Sequence, residues 1–583
     1  QCTLLNDDFS TSPTLSATDV DGAWYPDRYP PAAFTSDANR LKISISASDG
    51  AQLRPPSYSS QFYNTQGRKF NQCGKCVTIA KADLYIPADW ATRFRRTDIW
   101  GEARNSSDAI SFYPIIGFRN VDGASPNFSY WNGSGWVNLG APSTYDTWYT
   151  LEFRISGTNI YYYIDGTLVG TVTANGSVYL SHIIMQAYNF NDSTLGTSYD
   201  SSPNNSYDAF WDNLITTGPG GNVVTNLNTS YSYCSIQSAI DASATTNGHT
   251  LQVNPGTYNE DVTINKQIQL IGVDKTTTII DGATAGNPTV TISVPNVTLK
   301  NLTIQNVIRT NTSGNKNLIR IEAGNNDITI ENNIIGPNSN SSDTIDYAIS
   351  PADNIYFDAS TAISNVTIKD NEIFSAYGDG NGLMIFAPDN SGSGGASNFD
   401  IDGNMIYDNA KNGVEIQGEF NTSSITKNVI YGQLNRRLPL STYGTSYGNG
   451  LVMMQVNGHS GSNNGFYDVT INLNSFYYNY HSGFYIFGKM YDIDFVNNDS
   501  WGNTDGVVFN VDANQWVHPY RPLAATIDDN LSKVVATNNL IYANERFGMY
   551  NTSDSVIKAE ESYWEEPPIY IFRNQLSDRS GHT

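Results

Sequence analysis

Down the second half of the chain one phrase of apolar and polar positions keeps returning. It reads apolar, any residue, apolar, two residues, Asn, any residue, apolar or aromatic, with a Gly a few residues later. The Asn column is Asn333, Asn371, Asn404, Asn428, Asn474, Asn498 and Asn539. Five and three positions before these sit Ile328/Ile330, Val366/Ile368, Phe399/Ile401, Ser423/Ile425, Val469/Ile471, Ile493/Phe495 and Val534/Ala536. From the second copy on, Gly382, Gly413, Gly450, Gly483, Gly506 and Gly548 follow. The shortest repeat is 24 residues, Asn404 to Asn428 and Asn474 to Asn498, and loops stretch the others. A unit this short cannot bury its apolar face alone, but stacked units share one continuous core. The repeat therefore predicts coils of a parallel β-helix. The Asn residues are expected to stack at one bend, their amides bonding along the ladder. The Gly column is expected to mark a second bend that needs positive φ.

The first 217 residues follow another rhythm. Alternating apolar and polar stretches at 41–46, 76–86, 110–118, 148–156, 160–170 and 181–188 are separated by Gly, Asn and Ser turns. Period-two alternation of this kind predicts an antiparallel sandwich. A Gly-rich linker, 218–230, leads to the β-helix at 231–583, whose repeats end in a C-terminal cap at VIKAEESYWEEPPIYIF. The expected fold class is all-β, a jelly roll followed by a right-handed parallel β-helix. Loops interrupt the later coils, and those at 432–448, 457–466 and 512–530 are expected to rim one groove.

Residues 235 to 282 run SIQSAIDASATTNGHTLQVNPGTYNEDVTINKQIQLIGVDKTTTIIDG. This resembles the opening of the pectate-lyase-like right-handed β-helix superfamily, a likeness that extends over about 230–565. The phrase TWYTLEFRISGTNIYYYIDGTLVG, with DDFS and YDAFWDNLIT as paired terminal strands, resembles laminin-G-like and concanavalin-like jelly rolls. The resemblance implies fold, and it leaves the chemistry open, because the β-helix superfamily holds lyases, hydrolases, epimerases and adhesins. The jelly-roll likeness also suggests a structural Ca²⁺ held by Asp7 or Asp8 with Asp212, where oxygen ligands suit that ion.

With 32 basic against 56 acidic residues the net charge is -24. No basic patch is visible, which argues against nucleic acid. A chain only 15% charged and rich in Asn, Ser, Thr, Gly and Tyr has the make-up of an extracellular β-protein. No apolar run approaches the ~20 residues of a membrane helix. The opening Gln1-Cys2 reads as a mature form after signal-peptide removal. Four cysteines in an exported chain favour two disulfides, expected as a turn bridge Cys73–Cys76 and a Cys2–Cys234 tie.

The strand after each Gly offers an outward column. Its first position reads Met384, Glu415, Val452, Tyr485, Val508 and Tyr550, and its second Phe386, Gln417, Met454, Phe487 and Asn510. So apolar an outer face is either covered or a sugar groove, with Tyr485 and Phe487 stacking on sugar rings. Asp379, Lys411, Glu415, His481 and Asp505 lie beside it. Asp379 and Glu415 on neighbouring coils would suit an inverting glycosidase. A lyase instead needs a base and a cation beside a uronate carboxylate, for which Lys411, Arg436, Arg437 and His481 are candidates. Arg436 and Arg437 share a loop with Tyr443 and Tyr447. Asn503-Thr504-Asp505-Gly506 matches a polygalacturonase motif, but the Gly-His-Gly and Arg-Ile-Lys that should follow are missing, so it reads as an ordinary bend. In the jelly roll, Trp100, Trp131 and Trp136 are candidate sugar platforms. The expected function is polysaccharide binding at the cell exterior with cleavage in the β-helix groove. The rival is a non-catalytic adhesin or stalk.

Overall fold

The computed structural model describes residues 4–50, 54–72, 75–192, 205–308, 315–338, 352–376, 380–388, 394–433, 448–454, 465–488, 490–510, 534–544, 547–551 and 563–564. The chain forms two compact units, Gln1–Ala244 and Thr245–Thr583.

In the first unit two antiparallel sheets face each other as a jelly-roll sandwich. One sheet runs Thr167–Thr173, Asn159–Ile164, Thr147–Ser156, Ile79–Ile86, Tyr207–Thr217, Leu41–Ile45, Ala33–Ser36. The short N-terminal strand pairs with the last one, Asn6 opposite Ile215 and Asp7 opposite Leu214, as the terminal phrases suggested. The other sheet runs Trp136–Gly140, Asn127–Trp131, Ile115–Asn120, Arg95–Asn105, Ser177–Tyr188, Thr65–Asn71, Tyr25–Pro26. Strand alternation builds the core: in Leu41–Ile45 and Ile79–Ile86 every second residue is buried. Trp24, Trp90, Trp211 and Phe118 are among the large side chains sealed between the sheets.

The cysteine pairing differs from expectation. Cys76 is bonded to Cys234, so neither Cys73–Cys76 nor Cys2–Cys234 forms. Cys2 and Cys73 lie outside the described residues. The physical reason is packing: a Cβ on Gly218 would sit 2.8 Å from Cys234 Cβ, so this glycine lets Cys234 enter the jelly-roll core beside Cys76. The Gly-rich stretch carries a 3₁₀ turn, Pro219–Gly221, and a strand, Val224–Asn226. The short helix Ile236–Asp241 follows, capped by Ser235, whose side chain accepts from Ser238 N.

The second unit is the parallel β-helix that the repeat predicts, right-handed as parallel crossovers are. Three parallel sheets run its length. They begin at Thr250–Val253, Gly256–Asn259 and Val262–Ile264 and reach Val534–Thr537, Tyr563–Trp564 and Phe547–Asn551. The Asn column stacks at the bend between the first and second sheets. From Asn371 on, each Asn Oδ1 accepts both the backbone N and the Nδ2 of the Asn one coil earlier, for instance Asn404 N and Nδ2 to Asn428 Oδ1, both 2.9 Å. Removing one rung orphans two buried donors. Asn428→Ala is expected to cost about 2–4 kcal/mol, read as a lower urea midpoint of the full chain.

The Gly column works differently from expectation. Gly382, Gly413, Gly450 and Gly483 are not in the positive-φ region. They are small because the coils touch: a Cβ on Gly413 would lie 2.5 Å from Ile430 Cγ2 and 2.6 Å from Gly450 O. Positive φ falls instead on the residue before each Asn of the ladder, at Asn332, Asp370, Gly403, Lys427, Leu473, Asn497 and Asn538. On the second sheet Phe374, Tyr407, Tyr431, Tyr477, Trp501 and Tyr542 stack outward with centroids 4.8–6.0 Å apart. Their faces are occupied by one another, which makes this a structural ladder and leaves no open platform for a sugar.

Candidate active site on a β-helix bend

The third sheet brings the predicted columns into register. Met384, Glu415, Val452, Tyr485 and Val508 are partners in successive strands, as are Phe386, Gln417, Met454 and Phe487. This outer face is covered. Val452, Met454, Tyr485, Phe487 and Val508 form a buried cluster, with Tyr485 and Phe487 each 3% exposed. In this arrangement Tyr485 and Phe487 present no open ring face to a sugar.

The bend leading into the third sheet carries the chemistry. Two residues before each strand's first inward side chain sit Asp353, Asn381, Asn412, Asn449, Ser482 and Asp505, all buried. Each oxygen binds the next coil: Asn381 N donates to Asp353 Oδ1 (2.8 Å), Asn412 N to Asn381 Oδ1 (3.3 Å), Asn449 N to Asn412 Oδ1 (2.9 Å), Ser482 N to Asn449 Oδ1 (3.2 Å). One residue earlier lies the column Gly380, Lys411, Gly448, His481, tied by Lys411 N to Gly380 O, Gly448 N to Lys411 O and His481 N to Gly448 O. Lys411 and His481 are therefore two coils apart, roughly 10 Å at about 4.8 Å per coil.

Glu415 is fully buried. Its Oε2 receives Lys411 Nζ at 2.6 Å and Asn412 Nδ2 at 3.0 Å, and Gln417 Nε2 donates to Oε1. Such a carboxylate cannot reach a polysaccharide. It holds Lys411, whose side chain keeps 14% of its exposure. His481 is similarly part-exposed at 13%. Its Nδ1 lies 2.7 Å from Ser482 Oγ and 3.2 Å from Asn449 Oδ1, which is already fixed as an acceptor by Ser482 N. An acceptor at Nδ1 places the ring proton there and leaves Nε2 as the basic nitrogen, 3.9 Å from Asp505 Oδ2.

Between the two sits Gly448, at φ +82°, where a Cβ would lie 2.7 Å from Tyr480 Cβ. Tyr480 thus lies across the gap between Lys411 and His481, 42% exposed. The sequence reading missed Tyr480, Gly448 and Asp353. The phase of the column, two residues before the Gly column, was the signal that could have exposed Gly448.

Asp353 is buried at 1% exposure. Burial is the main cause that pushes its pKa up to about 7; Asn381 and Lys411 oppose the shift and Glu415 adds to it. A folded-state pKa above the unfolded one means that the folded chain binds more protons between about pH 4 and 7, so stability falls as pH rises through that window. Asp353→Asn keeps the Oδ1 that Asn381 binds and extends the amide column. The variant is expected to lose this part of the pH dependence and to melt higher than the parent at pH 8, with little difference at pH 5.

Asp379, Arg436, Arg437 and Tyr447 lie outside the described residues. In the jelly roll, Trp131 and Trp136 pack edge to face, centroids 5.5 Å apart, both part-buried beside Trp100 in a cluster separate from the sandwich core. At the terminal strands, Asp8 Oδ1 accepts from Ser10 N and Asp212 Oδ1 from Asn213 N. Burial, and then Asp8 and Asp212, push the Asp7 carboxyl upward. Among the described residues no group of three or more His, Cys, Asp or Glu side chains is arranged to hold a metal ion. Among them, too, no helix is long and apolar enough to cross a membrane.

No family model matches the chain. Over 85 residues it is 36% identical to a cell surface glycoprotein of Methanothermus fervidus, a match spanning 15% of this chain and 14% of that protein. The A-module of the Azotobacter vinelandii mannuronan C-5 epimerase AlgE4 superposes with TM-score 0.38 and 17% identity, covering 59% of this chain and 94% of the module. A Bacillus licheniformis beta-glucanase superposes with TM-score 0.23 and 15% identity, covering 37% and 97%. These likenesses concern the fold alone.

Proposed function

We propose that this is an extracellular or cell-surface protein that binds an acidic polysaccharide and cleaves it by β-elimination on the β-helix bend. The observation that carries the reading is the Lys411, Tyr480, His481 arrangement. A cation and a basic nitrogen flank a part-exposed ring on one edge, while Glu415 is sealed beneath as the anchor of Lys411. Hydrolysis needs two carboxyls at the glycosidic bond, and the described residues offer Glu415 only in its sealed pair. Elimination needs what Lys411 and His481 supply. His481 Nε2 takes the proton on the carbon beside the uronate carboxylate. The released electron pair forms a carbon–carbon double bond, the bond to the glycosidic oxygen breaks, and that oxygen leaves with the proton that the His481 imidazolium returns. The Lys411 ammonium neutralises charge building on the carboxylate, an electrostatic contribution worth the most in a water-poor site. Tyr480 offers its ring to the sugar.

The test is a panel of uronate-containing and neutral polysaccharides incubated with the full chain, with and without calcium. New reducing ends together with ultraviolet absorbance of unsaturated uronates support the reading, and reducing ends without absorbance overturn it in favour of hydrolysis. The second reading, a non-catalytic adhesin, is favoured by the covered outer face around Tyr485 and Phe487. Binding without either product signal selects it.

A further inference from the structure

The first unit carries a cavity of about 820 Å³ on the outer side of the sheet that holds Ile79–Ile86. That size is within the range of small-molecule sites. Strand parity supplies its floor. Ala80, Ala82, Leu151, Phe153 and Leu214 enter the sandwich core, so Ile79, Lys81, Glu152, Arg154 and Ile215 stand on the other side. Register sets Glu152 opposite Lys81, Lys81 opposite Ile215, and Arg154 opposite Ile79. A sheet face becomes a cavity here because the chain leaves the last strand through the turn Pro219–Gly221, which lines it. Gly220 and Gly221 stand at φ +68° and +88°, a curl that side chains would strain. A Cβ on Gly221 would meet nothing within 4 Å, so the space beside it is open. Val178, 49% exposed, lines the cavity as well.

Charge does not balance in this cavity. Arg154 Nε donates to Glu152 Oε1, and the guanidinium rests over the Tyr163 ring at 4.4 Å. This pair takes up the carboxylate. Lys81 faces Glu152 across the strands, yet among the described residues it makes neither an ion pair nor a hydrogen bond. The lining therefore holds two cations against one carboxylate, in a chain whose net charge is -24. A part-buried ammonium without a counter-charge has lost hydration and gained no partner, so an anion that enters is favoured. Beside Lys81 the lining is apolar: Ile79, Ile215, Val178 and Pro219.

We propose that this cavity binds a carboxylate with an apolar body, the chemistry of a medium-chain fatty acid. Its head meets the Lys81 ammonium and the terminal N–H groups of Arg154, and its body lies along Ile79, Ile215, Val178 and Pro219. The single surplus charge matches a carboxylate. A phosphate monoester carries about -1.5 to -2 at pH 7 and would bring more charge than the cavity can pair. A neutral sugar would leave Lys81 without a counter-charge. This site is separate from the β-helix bend and stands whether or not the protein cleaves a polysaccharide.

The test titrates the purified chain with sodium octanoate, octylammonium chloride, octanol and sodium acetate at matched ionic strength, read by calorimetry and thermal shift. Octanoate is expected to bind saturably and to raise Tm. Acetate lacks the body and octanol lacks the charge, so each is expected to bind about tenfold more weakly or worse. Lys81→Met keeps the stem and removes the charge. Because Lys81 pairs with nothing in the unliganded chain, the variant is expected to keep the parent Tm and to weaken octanoate binding by about tenfold or more. Val178→Asp puts a negative charge on the rim and is expected to weaken octanoate likewise, which serves if the Met variant does not fold. Octanoate binding no tighter than octanol or acetate overturns the proposal. So do octylammonium binding as tightly as octanoate, which means plain apolar adsorption, and full octanoate binding in both variants.

Discussion

Replacing His481 by Gln is expected to lower turnover of a uronate polysaccharide by about 10²–10⁴ while leaving KM within a few-fold. Among the described residues of the bend, the imidazole is the part-exposed group whose basic nitrogen is set by its neighbours. Asn449 Oδ1 and Ser482 Oγ occupy the Nδ1 side, and Nε2 faces the Asp505 carboxylate. Gln can keep a donor toward Asn449 and so spare the bend, but it has no nitrogen that accepts a proton near neutral pH. The kcat-against-KM split separates this from a structural fault. A loss confined to KM, with kcat preserved, would mean that His481 only holds the chain of sugars. The effect belongs with the base because proton abstraction occurs in the transition state and substrate binding does not need it.

The second large effect concerns the pair beneath. Glu415→Gln keeps the shape and the acceptor for one amide but leaves the Lys411 ammonium without its carboxylate in a mostly buried position. Breaking a buried pair from one side costs about 3–5 kcal/mol, so the variant should unfold at clearly lower urea. Lys411→Met strands the Glu415 carboxylate in the same way, and should also abolish cleavage. The double variant, Lys411→Met with Glu415→Leu, replaces both partners by apolar groups and is expected to recover a large part of the stability without recovering activity. Non-additivity of this kind is the signature of a direct pair. If the double variant is as unstable as the sum of the singles, Glu415 does not anchor Lys411.

The β-helix was legible because its ladder makes the same demand in every coil. The Asn amide offers an acceptor to the coil on one side and a donor to the coil on the other, so Asn404, Asn428 and Asn474 repeat where the apolar residues around them vary. The glycines were legible as a column but not in their cause. Spacing alone does not separate a glycine that turns the chain from one that two coils squeeze, and here the turning falls to residues such as Asp370, Lys427 and Leu473. Lys411 and His481 were visible as ionisable residues near the Gly column. Their relation to Tyr480 was not, because the stretch between Gln433 and Gly448 obscures which residue of the next coil lies against Gly448. The jelly-roll strand Arg95–Asn105 stayed hidden for another reason. In Arg95–Asn105 the residues off the core are Arg96, Asp98 and Trp100, so the strand shows no clean apolar stripe. The disulfide could not be read at all, since the closeness of Cys76 to Cys234, 158 residues apart, is set by tertiary packing.

The central claim is elimination at the Lys411–His481 edge, and mass analysis of cleaved ends tests it most directly. The purified chain would be incubated with uronate oligosaccharides of defined length, beside its His481→Gln variant. Two fragments whose masses sum to that of the parent, one carrying an unsaturated uronate at its new non-reducing end, are the predicted result, absent in the variant. Fragments whose masses sum to the parent plus one water, or oligosaccharides left whole by a protein that still binds them, would contradict it.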